Sequence, residues 1–147
     1  MSNKFWINRI HSADSRADLS NPISEINNDY AIANGQVEVD LRGSRSENKV
    51  SIKSGDIIYI AANGFYEEKS NNSLRIVAKG VVDLIEYRDD TPVAVFVQGS
   101  FEYLTAPMIN GLDIKNEGNQ YPYWSITDDK ADYFDQNVFI GNETKSI

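Results

Sequence analysis

The 147-residue sequence predicts one domain of mixed β structure, in which a small β-barrel carries one or two short flanking helices. Two apolar runs predict the sheet. The turn signal Ser54-Gly55-Asp56 precedes the run Ile57–Ala62, and a longer run follows over Leu74–Asp83 with Gly80 inside it. β-Branched residues dominate both runs. A glycine within a strand is typical of a bulge or of a close approach between chain segments, as a tightly curled sheet requires.

The first part of the chain is predicted to contribute a strand, a short helix and a hairpin. Lys4–Ile10 alternates apolar and polar residues imperfectly, which is typical of a strand. A short helix is predicted over Pro22–Ile26, because proline suits the first helical position. The turn signal Asn34-Gly35 separates the apolar run Tyr30–Ala33 from the alternating run Val37–Leu41, and this pattern predicts a hairpin.

The second part of the chain is predicted to add strands, a long loop and a helix. Asp89–Pro92 is a turn signal, Val93–Val97 predicts a buried strand, and Phe101–Leu104 continues it. Residues 107–122 are rich in glycine and asparagine and are interpreted mostly as loop, so the sum is about six strands. A C-terminal amphipathic helix is predicted after the N-cap residue Thr127, since apolar residues recur at positions 131, 134 and 138.

Charge is distributed unevenly along the chain. The net charge is −8, and residues 61–147 hold seven basic against fourteen acidic residues. A surface of this sign repels phosphate and excludes a general polyanion binder. The local exception is a basic arm of four residues that either is a solvated loop or contacts an anion: Arg42, Arg45, Lys49 and Lys53.

The sequence holds little conventional catalytic or metal-binding chemistry. It has no cysteine and one histidine, His11, which exclude a disulfide framework and a Cys/His zinc site and make a cytoplasmic location the expectation. No apolar run approaches the roughly 20 residues that span a bilayer, so no membrane partner is expected. Asp128, Asp132 and Asp135 would share one helix face, which we interpret as solvated rather than as a cation site. We therefore predict no catalytic residue, metal or cofactor.

Aromatic and amide side chains are the best candidates for a binding site. The chain has eight tyrosines, six phenylalanines and two tryptophans, and not all of them are expected in the core. Flat rings at the mouth of a barrel can stack a base, and neighbouring polar side chains can read its edge. The predicted ligand-binding residues are Trp6, Asn8, Ser12, Asn63, Phe65, Tyr66, Tyr123 and Trp124.

Three short motifs resemble the PUA-like superfamily, and within it the EVE-type domains. They are the strand Phe5-Trp6-Ile7-Asn8, the turn and strand Lys53-Ser54-Gly55-Asp56-Ile57-Ile58-Tyr59, and the strand Val77-Ala78-Lys79-Gly80-Val81-Val82. The resemblance covers residues 4–10 and 50–97. It implies a small β-barrel without intrinsic catalysis, with a pocket for a nucleobase that is often modified. It also implies that Trp6 lies near the pocket and that Gly55-Asp56 is a structural turn.

Three functions are compatible with these observations. The first is a non-enzymatic module that recognises a nucleobase, in nucleic acid or as a modified nucleoside, or a similar ring ligand. The second is an acidic protein-interaction or inhibitor protein of the DNA-mimic kind, related to phage or defence systems, whose C-terminal half binds a basic partner. The third is a small hydrolase built on a Lys/Thr/Glu constellation, whose members the sequence does not locate. The oligomeric state is not determined by any of these patterns.

Overall fold

The computed structural model describes residues 4–10, 30–33, 36–41, 51–62, 73–89, 91–115, 117 and 123–146. These residues are mostly β structure with short helices, which confirms the predicted class. The strands are β1 (Phe5–Ile10), β2 (Tyr30–Ala33), β3 (Gln36–Asp40), β4 (Ile57–Ala62), β5 (Ser73–Arg88), β6 (Thr91–Phe96), β7 (Glu102–Leu104), β8 (Leu112–Lys115), β9 (Tyr123–Ile126) and β10 (Thr144–Ser146). The helices are α1 (Pro107–Asn110) and α2 (Asp128–Phe134), and α2 continues into a π-helical turn, Asp135–Phe139.

One sheet connects the strands in the order β2-β3-β6-β5-β4-β1-β9. β1 and β4 are parallel, and the other neighbours on this path are antiparallel. The sheet is open within the described residues, since β2 and β9 at its two ends do not pair with each other. The hairpin predicted around Asn34-Gly35 is confirmed by the register of β2 and β3, in which Ile32 lies opposite Val37.

The 16-residue strand β5 joins the two parts of the sheet. Its first half pairs with β4, β7 and β8, and its second half pairs with β6. The register shifts between Val82 and Leu84, and a Cβ on Gly80 would lie 2.6 Å from Cδ1 of Phe96. The close approach predicted for Gly80 is therefore confirmed.

The two faces of the sheet carry separate apolar clusters. We call the side that holds Trp6 the inner face and the side that holds Ile7 the outer face. The inner cluster includes Trp6, Val39, Ile58, Ile60, Ala78, Phe96 and Phe101. The outer cluster includes Ile7, Tyr59, Ala61, Ile76, Leu104, Ala131, Phe134, Val138 and Phe139, so α2 and the π-helical turn cover this face.

Sequence interpretation was wrong for several short elements. The region 107–122, interpreted as mostly loop, contains α1 and β8, and the described residues form ten strands where about six were predicted. β8 and β10 have four and three residues, too few for a pattern of their own, and they exist because β5 and β7 offer them a pairing edge. The helix predicted over Pro22–Ile26 lies outside the described residues. None of the described helices is long and apolar enough to cross a membrane.

Candidate functional site

Three of the predicted ligand-binding residues lie side by side on the inner face. Asn8 of β1 is directly opposite Tyr123 of β9, and the Trp6 ring contacts the Tyr123 ring edge to face, with 5.9 Å between centroids. Trp6 is 6% exposed and Asn8 is 1% exposed, whereas Tyr123 is only partly buried. Trp6 and Asn8 are thus the buried members of this group, and Tyr123 is its partly exposed member.

A buried carboxylate fixes the Trp6 ring. Asp56 accepts hydrogen bonds from the indole Nε1 of Trp6 (2.9 Å) and from the backbone N–H groups of Lys4 (3.0 Å) and Lys53 (2.9 Å). Its own turn is closed by Gly55, whose φ of 89° lies in the left-handed region that glycine adopts without strain. The turn expected at Gly55-Asp56 is present, and it orients an aromatic side chain as well as starting a strand.

The topology brings several chain segments to the end of the sheet beside Asn8. β1 and β4 are parallel and stop together, because Ile10 lies opposite Ala62, and Arg75 near the start of β5 is paired there too. β9 begins at the same end with Tyr123. Of the predicted ligand-binding residues, Ser12 follows β1 and Asn63, Phe65 and Tyr66 follow β4 in sequence. These four lie outside the described residues.

Trp124 is separated from this group. It lies opposite Ile7 in the pairing of β1 with β9, and it packs against the outer cluster. Its indole Nε1 is buried and has no hydrogen-bond partner among the described residues. The two tryptophans therefore face opposite sides of the sheet, and only Trp6 belongs to the inner group.

The basic arm is described at one position only. Lys53 is exposed, and its backbone ties the arm to Asp56 at the end of β1 remote from Asn8. Arg42, Arg45 and Lys49 lie outside the described residues, as does His11.

A polar cluster on the outer face was not foreseen. Tyr59 donates its hydroxyl to Oδ1 of Asp135 (2.8 Å) and approaches the carbonyl oxygen of Ala131 (3.2 Å). Lys79 Nζ donates to the same Oδ1 (2.8 Å) and lies 3.5 Å from Oε1 of Glu102. Burial, the hydrogen bond to Asp135 and nearby carboxylates raise the pKa of Tyr59 far above its usual range. The hydroxyl therefore keeps its proton, and its hydrogen bond to Asp135, to a higher pH than an ordinary tyrosine would.

The interpretation of Asp135 as a solvated residue is wrong, while its helix neighbours Asp128 and Asp132 are exposed as expected. Asp135 lies four residues after the buried Ala131, on the side of the helix that faces the sheet, and Phe139 in the following π-helical turn is buried on the same side. One signal in the sequence points to this cluster. Lys79 interrupts an apolar run within a strand, and a buried or half-buried lysine requires a carboxylate partner.

Besides Asp56, Glu38 is buried among the described acidic residues, and an ion pair with Arg88 accounts for its burial. Both terminal nitrogens of Arg88 donate hydrogen bonds to the carboxylate of Glu38 on β3, at 2.6 Å and 3.0 Å. These hydrogen bonds lower the pKa of Glu38. Arg88 also bonds Glu86. These residues hold β5 against β3 across β6, which is a structural role. Within the described ranges there is no cluster of three carboxylate or histidine side chains that would hold a metal ion.

Comparison with known proteins gives no match for this chain among protein-family models, curated proteins or solved structures.

Proposed function

We propose that this chain is a non-enzymatic binding module that recognises a planar ring ligand, a nucleobase or modified nucleobase, at the inner face of its curled sheet. In this proposal the sheet is a small barrel of the PUA-like kind, and the ligand enters at the end where β1 and β4 stop. The observation that carries it is the contiguous set Trp6, Asn8 and Tyr123, which lie side by side on the inner face and combine two rings with one amide.

The chemistry of these three side chains suits a neutral ring better than an anion. Tyr123 offers a partly exposed ring, and stacking on an aromatic side chain contributes roughly 1–3 kcal/mol per base. A carboxamide such as that of Asn8 both donates and accepts hydrogen bonds, as the edge of a base does. A flipped or free base brings little charge to the site, so the acidic balance of the chain does not oppose its binding.

Tryptophan fluorescence tests this proposal. In the Trp124→Phe variant Trp6 is the sole tryptophan, and its emission reports on the inner face. Titration with nucleosides, with and without base methylation, and with short single-stranded oligonucleotides is expected to give a saturable change. Tyr123→Ala should weaken that binding by about tenfold or more, because it removes one stacked ring.

The matched control is Tyr133→Ala, which removes a tyrosine from the exposed side of α2 and should leave binding unchanged. A folded Trp124→Phe variant that responds to none of these ligands would overturn the proposal. Equal weakening by the two tyrosine variants would also count against it, since the effect would then be independent of the inner face.

The acidic interaction function is a second candidate, supported by the outward side of α2. Asp128, Asp129 and Asp132 are exposed there beside Tyr133, which is 55% exposed, and Ile140 is 60% exposed after the π-helical turn. A basic protein that binds this surface should be captured at low salt and released at high salt. The Asp129→Asn/Asp132→Asn variant should no longer capture this basic protein. Capture that is insensitive to both salt and substitution would contradict this candidate.

A further inference from the structure

The C-terminal segment covers the outer face as a strap. We define the strap as residues 127–146, which contain α2, the π-helical turn and β10. Its inward side buries Ala131, Phe134, Val138 and Phe139 against the sheet. Thr127 caps the start of α2 by accepting a hydrogen bond from Lys130 N at 3.2 Å. The strap thus has a defined beginning at the end of β9.

β10 of the strap is held by its pairing with β7, whereas the side-chain contacts of the helical part with the sheet converge on one ammonium group. Tyr59, Lys79 and Glu102 form a row across β4, β5 and β7, because Lys79 is paired in register with both of the others. Asp135 reaches this row from above and bonds both Tyr59 and Lys79 at 2.8 Å. The same ammonium lies 4.8 Å from the centre of the Phe139 ring, a cation–π distance. Lys79 therefore contacts sheet and strap at once.

The net negative charge of the strap makes the positive charge of Lys79 important for holding the strap on the sheet. The strap has five acidic residues against two lysines, so it is self-repelling and acidic overall. Lys79 stands between the carboxylates of Asp135 and Glu102, at 2.8 Å and 3.5 Å. Without its charge, two carboxylates from strap and sheet would face each other in a half-buried place, where screening by water is weak.

We propose that Lys79 is an electrostatic latch that keeps the strap closed on the outer face. When its charge is removed, the helical part of the strap, residues 127–139, opens and uncovers the apolar outer cluster, while β10 stays paired with β7 and the inner face stays folded. Sub-global opening of this kind occurs in proteins as cooperative units that often coincide with supersecondary motifs. This device is independent of the ligand proposed for the inner face.

Hydrogen exchange of the Lys79→Met variant tests the latch, since methionine keeps much of the apolar stem and removes the charge. Amides of residues 131–139 are expected to exchange about tenfold faster or more, the effect of losing a charge-assisted hydrogen bond. Amides of β3 and β6 should be unchanged. Lys130→Met is the control, because it makes the same change in net charge at a surface ion pair with Glu117. It should leave exchange of the strap near the wild-type rate.

Salt and a second substitution separate a latch from a packing role. In the wild type, salt weakens the attraction and should speed exchange of the strap. In Lys79→Met, salt screens the repulsion between Asp135 and Glu102 and should slow it. Adding Asp135→Asn to Lys79→Met should restore part of the protection, and Lys79→Arg should retain most of it. Faster exchange throughout the molecule, or an unchanged salt response in Lys79→Met, would overturn the proposal.

Discussion

The inner and outer faces of the sheet are both apolar, but they are anchored by opposite chemistry. On the inner face a buried carboxylate, Asp56, accepts from three neutral donors, and two of these are backbone groups. On the outer face a cation, Lys79, joins two half-buried carboxylates, and one of them belongs to the strap. The inner anchor is a turn next to the strand it starts. Both anchors also join segments far apart in sequence, since Asp56 bonds Lys4 and Trp6, 52 and 50 residues away, and Asp135 bonds Lys79, 56 residues away.

This difference predicts different behaviour under perturbation. The inner anchor contains no ion pair among its described contacts, so salt should affect it little, and its loss should destabilise the whole sheet. The outer anchor is partly solvated and carries opposed charges, so its loss should act locally and depend on salt. The following substitutions test this contrast.

Asp56→Ala is expected to have the largest effect. It leaves the indole N–H of Trp6 and the N–H groups of Lys4 and Lys53 without their acceptor. The free energy of unfolding should fall by about 3–5 kcal/mol, measured by urea denaturation. Asp56→Asn is the control, because an amide keeps one acceptor and should lose only about half as much. If Asp56→Ala cost less than 1 kcal/mol, the inner anchor would not stabilise the sheet.

Gly80→Ala is also expected to have a large effect. A Cβ at this position would lie 2.6 Å from Cδ1 of Phe96 and 3.1 Å from Cδ2 of Phe101, inside the inner cluster. Overpacking of this kind should cost about 2–3 kcal/mol in urea denaturation. Gly99→Ala is the control. Nothing lies within 4 Å of its Cβ, and its φ of 82° should cost only about 1 kcal/mol of backbone strain. A larger loss of stability in Gly99→Ala than in Gly80→Ala would show that the side chains of the inner cluster shift easily to accept a methyl group.

The fold could be predicted where the signal was local. Gly80 in a β-branched run predicts the close approach, Asn34-Gly35 predicts the hairpin, and Thr127 predicts the start of α2. Each of these signals is contained within a few residues. β8 and β10 are too short for a signal, and they depend on strands far away in sequence.

The candidate site was predictable only in part for a related reason. Strand alternation places Trp6 and Asn8 on one face, but the sequence does not say which face of β9 meets them. Register decides this, and it brings Tyr123 to the inner face and sends Trp124 to the outer one. Asp135 was misinterpreted because it was grouped with Asp128 and Asp132, although it also lies four residues after the buried Ala131, at the edge of the apolar helix face and within reach of Lys79.

Tyr59→Phe should have a moderate and pH-dependent effect. At pH 8 it should cost about 1–2 kcal/mol, because the hydrogen bond to Asp135 is lost. The pKa of Tyr59 is raised above its ordinary value of 10.0, so the neutral phenol favours the folded state. That contribution is fully present below about pH 10 and is lost as pH rises above it toward the folded pKa.

Urea denaturation at pH 8 and pH 11 measures this contribution. The difference between wild type and Tyr59→Phe should shrink at pH 11, while the seven other tyrosines contribute equally to both proteins. A difference that stays constant from pH 8 to pH 11 would mean that the Tyr59 hydroxyl titrates normally and that the outer anchor does not depend on it.

Trp124→Phe should have the smallest effect, and comparison with Trp6→Phe makes it informative. Both substitutions remove a ring and leave space, which is destabilising. In Trp6→Phe the buried Asp56 also loses a donor, so about 2–4 kcal/mol of stability should be lost. In Trp124→Phe the removed N–H had no hydrogen-bond partner among the described residues, and relief of that burial offsets the lost packing. The net change should stay within about 1 kcal/mol. Equal losses in the two variants would mean that packing alone, and not the bond to Asp56, distinguishes the faces.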